Sequence, residues 1–126
     1  MILKINMKII FIAGPYFSDG NPEKIEENIH NAEKYQIALA NKGIGFFCSH
    51  NHTRNFERKA DAPEEFYKEL DLEILKKAVD AVLAIPGWEN SDGARKEVAW
   101  AKENNMKIFY PQSVDDLEEI INWVKE

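Results

Sequence analysis

Two short apolar runs, one within Lys8–Ala13 (Ile-Ile-Phe-Ile-Ala) and one at Ala81–Ile85 (Ala-Val-Leu-Ala-Ile), constrain this chain more than any other feature. Neither alternates polar with apolar, so each must be covered on both faces, as the central strands of a parallel sheet are. Parallel neighbours need crossover connections, and the stretches between the runs supply helices. Gly14-Pro15 ends the first run. Asn21 then stands as N-cap before Pro22 at the first helical position, and Ile25, Ile29, Ala32, Gln36 and Leu39 follow at helical spacing up to a stop at Gly43.

The same alternation continues to the C-terminus. Ile44–Cys48 reads as a second strand, and Ser49–Ala62 as the longest irregular stretch. Pro63 opens a second helix to about Ala78, with Phe66, Leu70 and Ile74 expected as its buried ridge. Strand three spans Val79–Ile85, helix three Gly93–Asn105 and strand four Lys107–Tyr110. Ser113 is expected to cap a last helix that turns Leu117, Ile120, Ile121 and Val124 inward. The order βαβαβαβα with right-handed crossovers predicts a flavodoxin-like or Rossmann-like three-layer sandwich, in one domain over 1–126 with its core at about 7–111. It would carry four or five parallel strands in the order 2-1-3-4, with a switch point between strands one and three. The loops leaving those strands, Gly14–Asn21 and Pro86–Gly93, are where a ligand is expected.

Bulk properties narrow the partners. A net charge of −6 argues against a nucleic-acid backbone or an anionic membrane surface. No apolar stretch approaches the roughly 18 residues that span a bilayer. The segment Met1–Met7 reads as too short and interrupted for a signal peptide, with Met7 a possible start, so a cytoplasmic setting is expected. The one cysteine, Cys48, lies in an apolar strand and is expected to be a buried, inert thiol.

Four groups of residues carry possible chemistry. Glu97 lies about one turn into helix three, and Asp71 shares a face of helix two with Tyr67. Two carboxylates flanking one sugar carbon are the usual equipment for cleaving a glycosidic bond, one attacking the anomeric carbon and one protonating the leaving group. An early-helix position would help keep Glu97 ionised. Gly14-Pro15-Tyr16 resembles a nucleotide-binding turn only in outline, lacking both the G-x-G-x-x-G fingerprint and a P-loop lysine. His50 and His52 find no third metal ligand at a familiar spacing, so a pocket-wall role is expected for His50 and no metal or other cofactor. Ser91, Asp92 and Gly93 open helix three and could form an anion site or simply cap it. Among the tryptophans, Trp88 is the one expected near a ligand; Trp100 and Trp123 fall on amphipathic helices as packing or subunit-interface residues. His30 reads as solvated.

These residues, taken together, resemble the nucleoside 2-deoxyribosyltransferase-like proteins. The resemblance rests on Phe11-Ile12-Ala13-Gly14-Pro15-Tyr16, on Asn28-Ile29 with Ala32, on Asp71-Leu72-x-x-Leu75-x-x-Ala78-x-Asp80-Ala81-Val82, and on Ser91-x-Gly93-x-x-x-Glu97-x-x-x-Ala101. It runs from about Met7 to Pro111 and is nearest to small uncharacterised members of that group. It implies a glutamate nucleophile at Glu97 and an acid at Asp71 that contacts and protonates the base. It places Ser91 where nucleotide hydrolases hold a phosphate, and Gly14 and Tyr16 in the loop lining the sugar. The implied substrate is a nucleoside or a nucleoside 5′-monophosphate, cleaved by hydrolysis or base exchange in a homo-oligomer. Relatives often carry a strand-one tyrosine bonded to the nucleophile; Phe11 stands there, so either Tyr16 substitutes or the glutamate is tuned differently. A binding protein that senses a nucleotide without turning it over is the alternative, and a structural subunit whose acids merely cap helices is a third.

Overall fold

The computed structural model describes residues 7–126, and the reading of the N-terminal segment as no signal peptide lies outside them apart from Met7. Four strands, β1 (Ile9–Ala13), β2 (Gly45–Phe47), β3 (Ala81–Ala84) and β4 (Lys107–Phe109), form one parallel sheet in the order β2-β1-β3-β4. Five helices accompany them: α1 (Pro22–Asn41), α2 (Ser49–His52), α3 (Glu64–Ala78), α4 (Asp92–Glu103) and α5 (Glu118–Val124). This is the flavodoxin-like, Rossmann-like sandwich that the alternation predicts.

Side chains alternate across the sheet and divide the core in two. Ile10, Ile12, Leu83 and Ile85 face α1 and α5, packing on Ala32, Tyr35, Leu39 and Ile120. Phe11, Ala13, Val82 and Ala84 face the other way, onto Leu75 of α3 and Ala94, Val98 and Ala101 of α4. Ile10, Phe11 and Ile12 are fully buried, at about 1.5–3 kcal/mol each for such side chains, which is why β1 needs apolar residues at successive positions. Asp80 locks the start of β3 to β1. Its carboxylate accepts from the Ile9 N–H at 2.8 Å while its own N–H donates to the Ile9 carbonyl at 2.9 Å.

Asn21 caps α1 as its sequence position predicts, its side-chain oxygen accepting from the N–H groups of Glu23 and Lys24. Three expectations need correction. The irregular stretch after β2 contains α2 and a 3-10 turn at Phe56–Arg58. Ser113 caps a turn, through the Asp115 N–H, rather than α5, which begins at Glu118.

The third correction matters for function: Phe66, Leu70 and Ile74 are not the buried ridge of α3. Phe66 is 48% exposed, and Leu75 is the fully buried residue of this helix. The helix is rotated so that Tyr67, Lys68, Asp71 and Leu72 turn inward with Leu75. Apolar spacing alone could not separate these two stripes, because Leu70, Ile74 and Phe66 repeat as regularly as Leu75 and Leu72.

Candidate active site

The crevice lies at the carboxyl ends of the strands, beside the point where the order reverses between β1 and β3. Loops after β1, β2 and β3 and one face of α3 enclose a cleft of about 330 Å³. That falls within the range of about 300–1,000 Å³ typical of small-molecule sites. Its wall brings together Gly14, Pro15, Tyr16, His50, Asp71, Ser91, Gly93 and Glu97. Trp88 is not among the lining residues. Its ring packs beside Tyr110 with centroids 5.8 Å apart, because the 3-10 turn Trp88–Asn90 carries it onto the core under α4.

The loop after β1 is held in place from three sides. Gly14 touches the Ile85 side chain so closely that an added Cβ would sit 2.5 Å from Ile85 Cγ1, a buried atom with nowhere to go. Asn28 of α1 donates to the Tyr16 carbonyl at 3.0 Å and to the Ser18 hydroxyl at 2.9 Å. His50 Nε2 lies 2.6 Å from the Pro15 carbonyl, and Nδ1 lies 3.5 Å from Cys48 Sγ. Burial lowers the His50 pKa to about 4 and pushes the Cys48 thiol up to about 12, so both are neutral. The network then assigns one arrangement: the thiol donates to Nδ1, and Nε2–H donates to Pro15. His50 is thus a strut for the loop, and among the described residues no cluster of His, Cys, Asp or Glu is arranged to hold a metal.

Tyr16 lines the cleft, but its hydroxyl is committed elsewhere. Its hydroxyl donates to Glu57 at 2.6 Å and accepts from the Asn55 N–H at 2.8 Å, fastening the β1 loop to the segment after α2. Ser18 and Asp19 in the same loop hold left-handed backbone conformations, with φ of 44° and 57°, which non-glycine residues adopt at a cost.

Glu97 and Asp71 meet in the cleft from two helices. Glu97 is only 8% exposed, and no hydrogen bond among the described residues reaches its carboxyl group. Burial, and then the charge of Asp71, hold its pKa well above the ordinary carboxylate range. This reverses the expectation of an ionised, dipole-stabilised glutamate. Glu97 lies in the second turn of α4, where the N-terminal field has faded, and the dry wall outweighs what remains. Burial likewise raises Asp71 from 3.8 to about 7, with the Ser49 hydroxyl partly offsetting it. Asp71 Oδ1 and the Tyr67 hydroxyl are buried without a hydrogen-bond partner among the described residues. The two acids therefore do not cap helices from the surface, and they do not face separate regions of solvent.

At the rim, Lys68 bridges α3 to the start of α4. Its ammonium sits 2.9 Å from Asp92 Oδ2 and 3.2 Å from Glu64 Oε1, which raises its pKa and lowers that of Asp92. Ser91 caps α4, its Oγ accepting from the Ala94 N–H at 3.3 Å, and Gly93 beside it leaves open space where a side chain would stand. Sequence reasoning missed Ser49, Glu57 and Lys68. Lys68 had one available signal, its place one turn before Asp71 on the same helix face.

Fold and site together define an open-sheet α/β domain with a paired-acid cleft at its switch point. The chain belongs to the DUF4406 family, a domain of unknown function whose family model matches residues 8–110. A search of curated proteins finds no match.

Proposed function

We propose that this protein cleaves the N-glycosidic bond of a nucleoside or nucleoside 5′-monophosphate, with Glu97 as nucleophile and Asp71 as acid and base. The observation that carries the reading is the convergence of a buried and a part-buried carboxyl group in one small-molecule cleft, the charge of Asp71 acting on Glu97. The sequence resemblance to nucleoside 2-deoxyribosyltransferase-like proteins adds to it. Burial raises the pKa of both acids, and the charge of Asp71 raises that of Glu97 further, so the pair favours holding a proton. As positive charge develops at C1′, the anionic form of Glu97 is favoured and the proton resides on Asp71. A Glu97 oxygen bonds to C1′ as the C1′–N bond breaks, and the leaving nitrogen takes the Asp71 proton. Water, or a second base, then attacks C1′ with Asp71 accepting its proton, and Glu97 departs as carboxylate. Self-association and a cytoplasmic setting belong to the same reading. Among the described residues no helix is long and apolar enough to cross a membrane.

A panel of ribo- and deoxyribonucleosides and their 5′-monophosphates, with and without an acceptor base, tests this by chromatography of the released base. Release that is lost in Glu97→Gln supports the assignment; release at an undiminished rate in that variant removes it. A second reading, a nucleotide-derivative sensor, is favoured by the raised Glu97 pKa, since a neutral carboxyl is a poor nucleophile but a good hydrogen-bond donor. Calorimetric binding with the ligand recovered intact supports that reading.

A further inference from the structure

The charges that line the cleft are lopsided. Asp19, Glu57, Glu64, Asp71, Asp92 and Glu97 contribute carboxyl groups, against one lysine and one arginine. Neither cation is spare, and the same pairs occupy Glu64 and Asp92, while Asp19, Asp71 and Glu97 have no Lys or Arg partner among the described residues. Lys68 is held by Asp92, Glu64 and, at 3.6 Å, Glu65. Arg95 donates to the Glu89 carbonyl at 2.7 Å and lies 3.6 Å from Asp92. His50 is neutral and committed to Pro15. The start of α4 offers little positive field, since Asp92 stands in its first turn and Ser91 already serves the Ala94 N–H.

Beyond their charge, several of the polar groups lining the same cleft lack partners. Glu97 is 8% exposed, with no hydrogen bond to its carboxyl group among the described residues, and Asp71 Oδ1 and Tyr67 Oη are buried and unsatisfied. Three aromatic residues, Tyr16, Phe17 and Tyr67, line the same cleft. Carboxylates with aromatic faces are the surroundings that desolvated organic cations favour.

We propose that the occupant of this cleft is a cationic N-glycoside, one whose base carries a fixed positive charge, and not a phosphate-bearing nucleotide. The sign of the charge rests on the lining alone, while the identity of the scissile bond rests on the glycosidic reading above. Such a substrate also simplifies the chemistry. When the C1′–N bond breaks, its electron pair neutralises the ring nitrogen, so the base leaves uncharged and needs no proton. Glu97 bonds to C1′, water then attacks C1′ and passes its proton to Asp71, and Glu97 is released as carboxylate. A bound cation also relieves the repulsion and desolvation that raise the pKa of both carboxyl groups, favouring the ionised forms this step uses.

Three probes separate the possibilities: a ribosylpyridinium salt, the phenyl C-riboside that matches its shape without charge, and the 5′-phosphate of the first. Their binding is measured by calorimetry at two ionic strengths, and pyridine release by absorbance. The pyridinium compound is expected to bind at least about tenfold more tightly than its neutral isostere, a difference of about 1.4 kcal/mol. Its 5′-phosphate is expected to bind more weakly, and Asp19→Asn to narrow the gap. Equal affinity for the isostere, or strongest binding of the 5′-phosphate, overturns the inference. Preferential binding with the pyridinium riboside recovered intact keeps the charge assignment and removes the glycosidic reading. Faster cleavage of uncharged or phosphorylated nucleosides keeps the reaction and removes this inference.

Discussion

Replacing Asp71 with asparagine should make this protein more stable, by an amount that grows above about pH 4 and is full from neutral pH upward. In the folded chain the carboxyl group titrates at about 7 instead of 3.8, because burial disfavours its charged form. Each pH unit of such a shift corresponds to about 1.4 kcal/mol, so the full shift sets an upper bound of roughly 4 kcal/mol. Asp71 keeps some contact with solvent, and discounting for that leaves about 2–3 kcal/mol. The sign follows from which state binds the proton more tightly. Here it is the folded state, so the penalty is absent below the unfolded pKa, grows as the pH rises from about 4 to about 7, and is constant above. Asparagine cannot ionise and escapes the penalty. For a chain of this length a gain of 2–3 kcal/mol raises Tm by about 6–15 °C. Thermal melts of both proteins from pH 4 to pH 8.5, followed by circular dichroism, should show curves that nearly coincide at the acid end, diverge from about pH 4 to about pH 7 and stay a constant distance apart above that. Glu97→Gln should move the same way. The double variant should gain less than the two single gains summed, because either change alone removes the mutual repulsion. A Tm difference that is the same at pH 4 and pH 8.5, or an asparagine variant that melts lower at pH 8.5, would refute the picture of two acids sharing a dry cleft.

Four further outcomes follow from the same geometry. His50→Ala removes a buried strut and leaves the Pro15 carbonyl unsatisfied, which should cost about 2–4 kcal/mol in urea unfolding and raise KM for any substrate. Tyr16→Phe deletes the bonds to Glu57 and Asn55 and should cost about 1–2 kcal/mol, with kcat little changed because its hydroxyl does not reach Glu97. If the acid pair is catalytic, kcat/KM should be bell-shaped, with its alkaline limb at or above about 7, where the pair loses its last proton. Leu75→Ala should cost about 2–5 kcal/mol and Phe66→Ala under about 1 kcal/mol, a ratio that checks the rotation of α3.

Strand order and the starts of α1 and α4 were legible because each rests on local chemistry: unbroken apolar runs for β1 and β3, Asn21-Pro22 for α1, and Ser91 for α4. The rotation of α3 was not legible. Its sequence offers two apolar stripes, and the choice depends on the shape of the sheet surface it meets, which no local pattern records. The same limit explains Trp88, an aromatic in a loop next to the site whose ring is claimed by Tyr110 and the core. The raised pKa of Glu97 was not legible for a related reason. Helix position is readable from sequence, but the burial that governs Glu97 arises from residues brought in by β1 and α3. Asn28 and Asp80 stood inside recognisable motifs without an evident reason, which the coordinates provide as loop and strand ties.

The most direct test of the account is whether C1′ of a substrate becomes attached to Glu97. Acid quenching of the protein during turnover of a nucleoside or ribosylpyridinium probe, followed by peptide mass spectrometry, is expected to find a pentosyl increment on the peptide carrying Glu97, absent in Glu97→Gln. Base release that proceeds undiminished in that variant, or a sugar attached to any other residue, would contradict it.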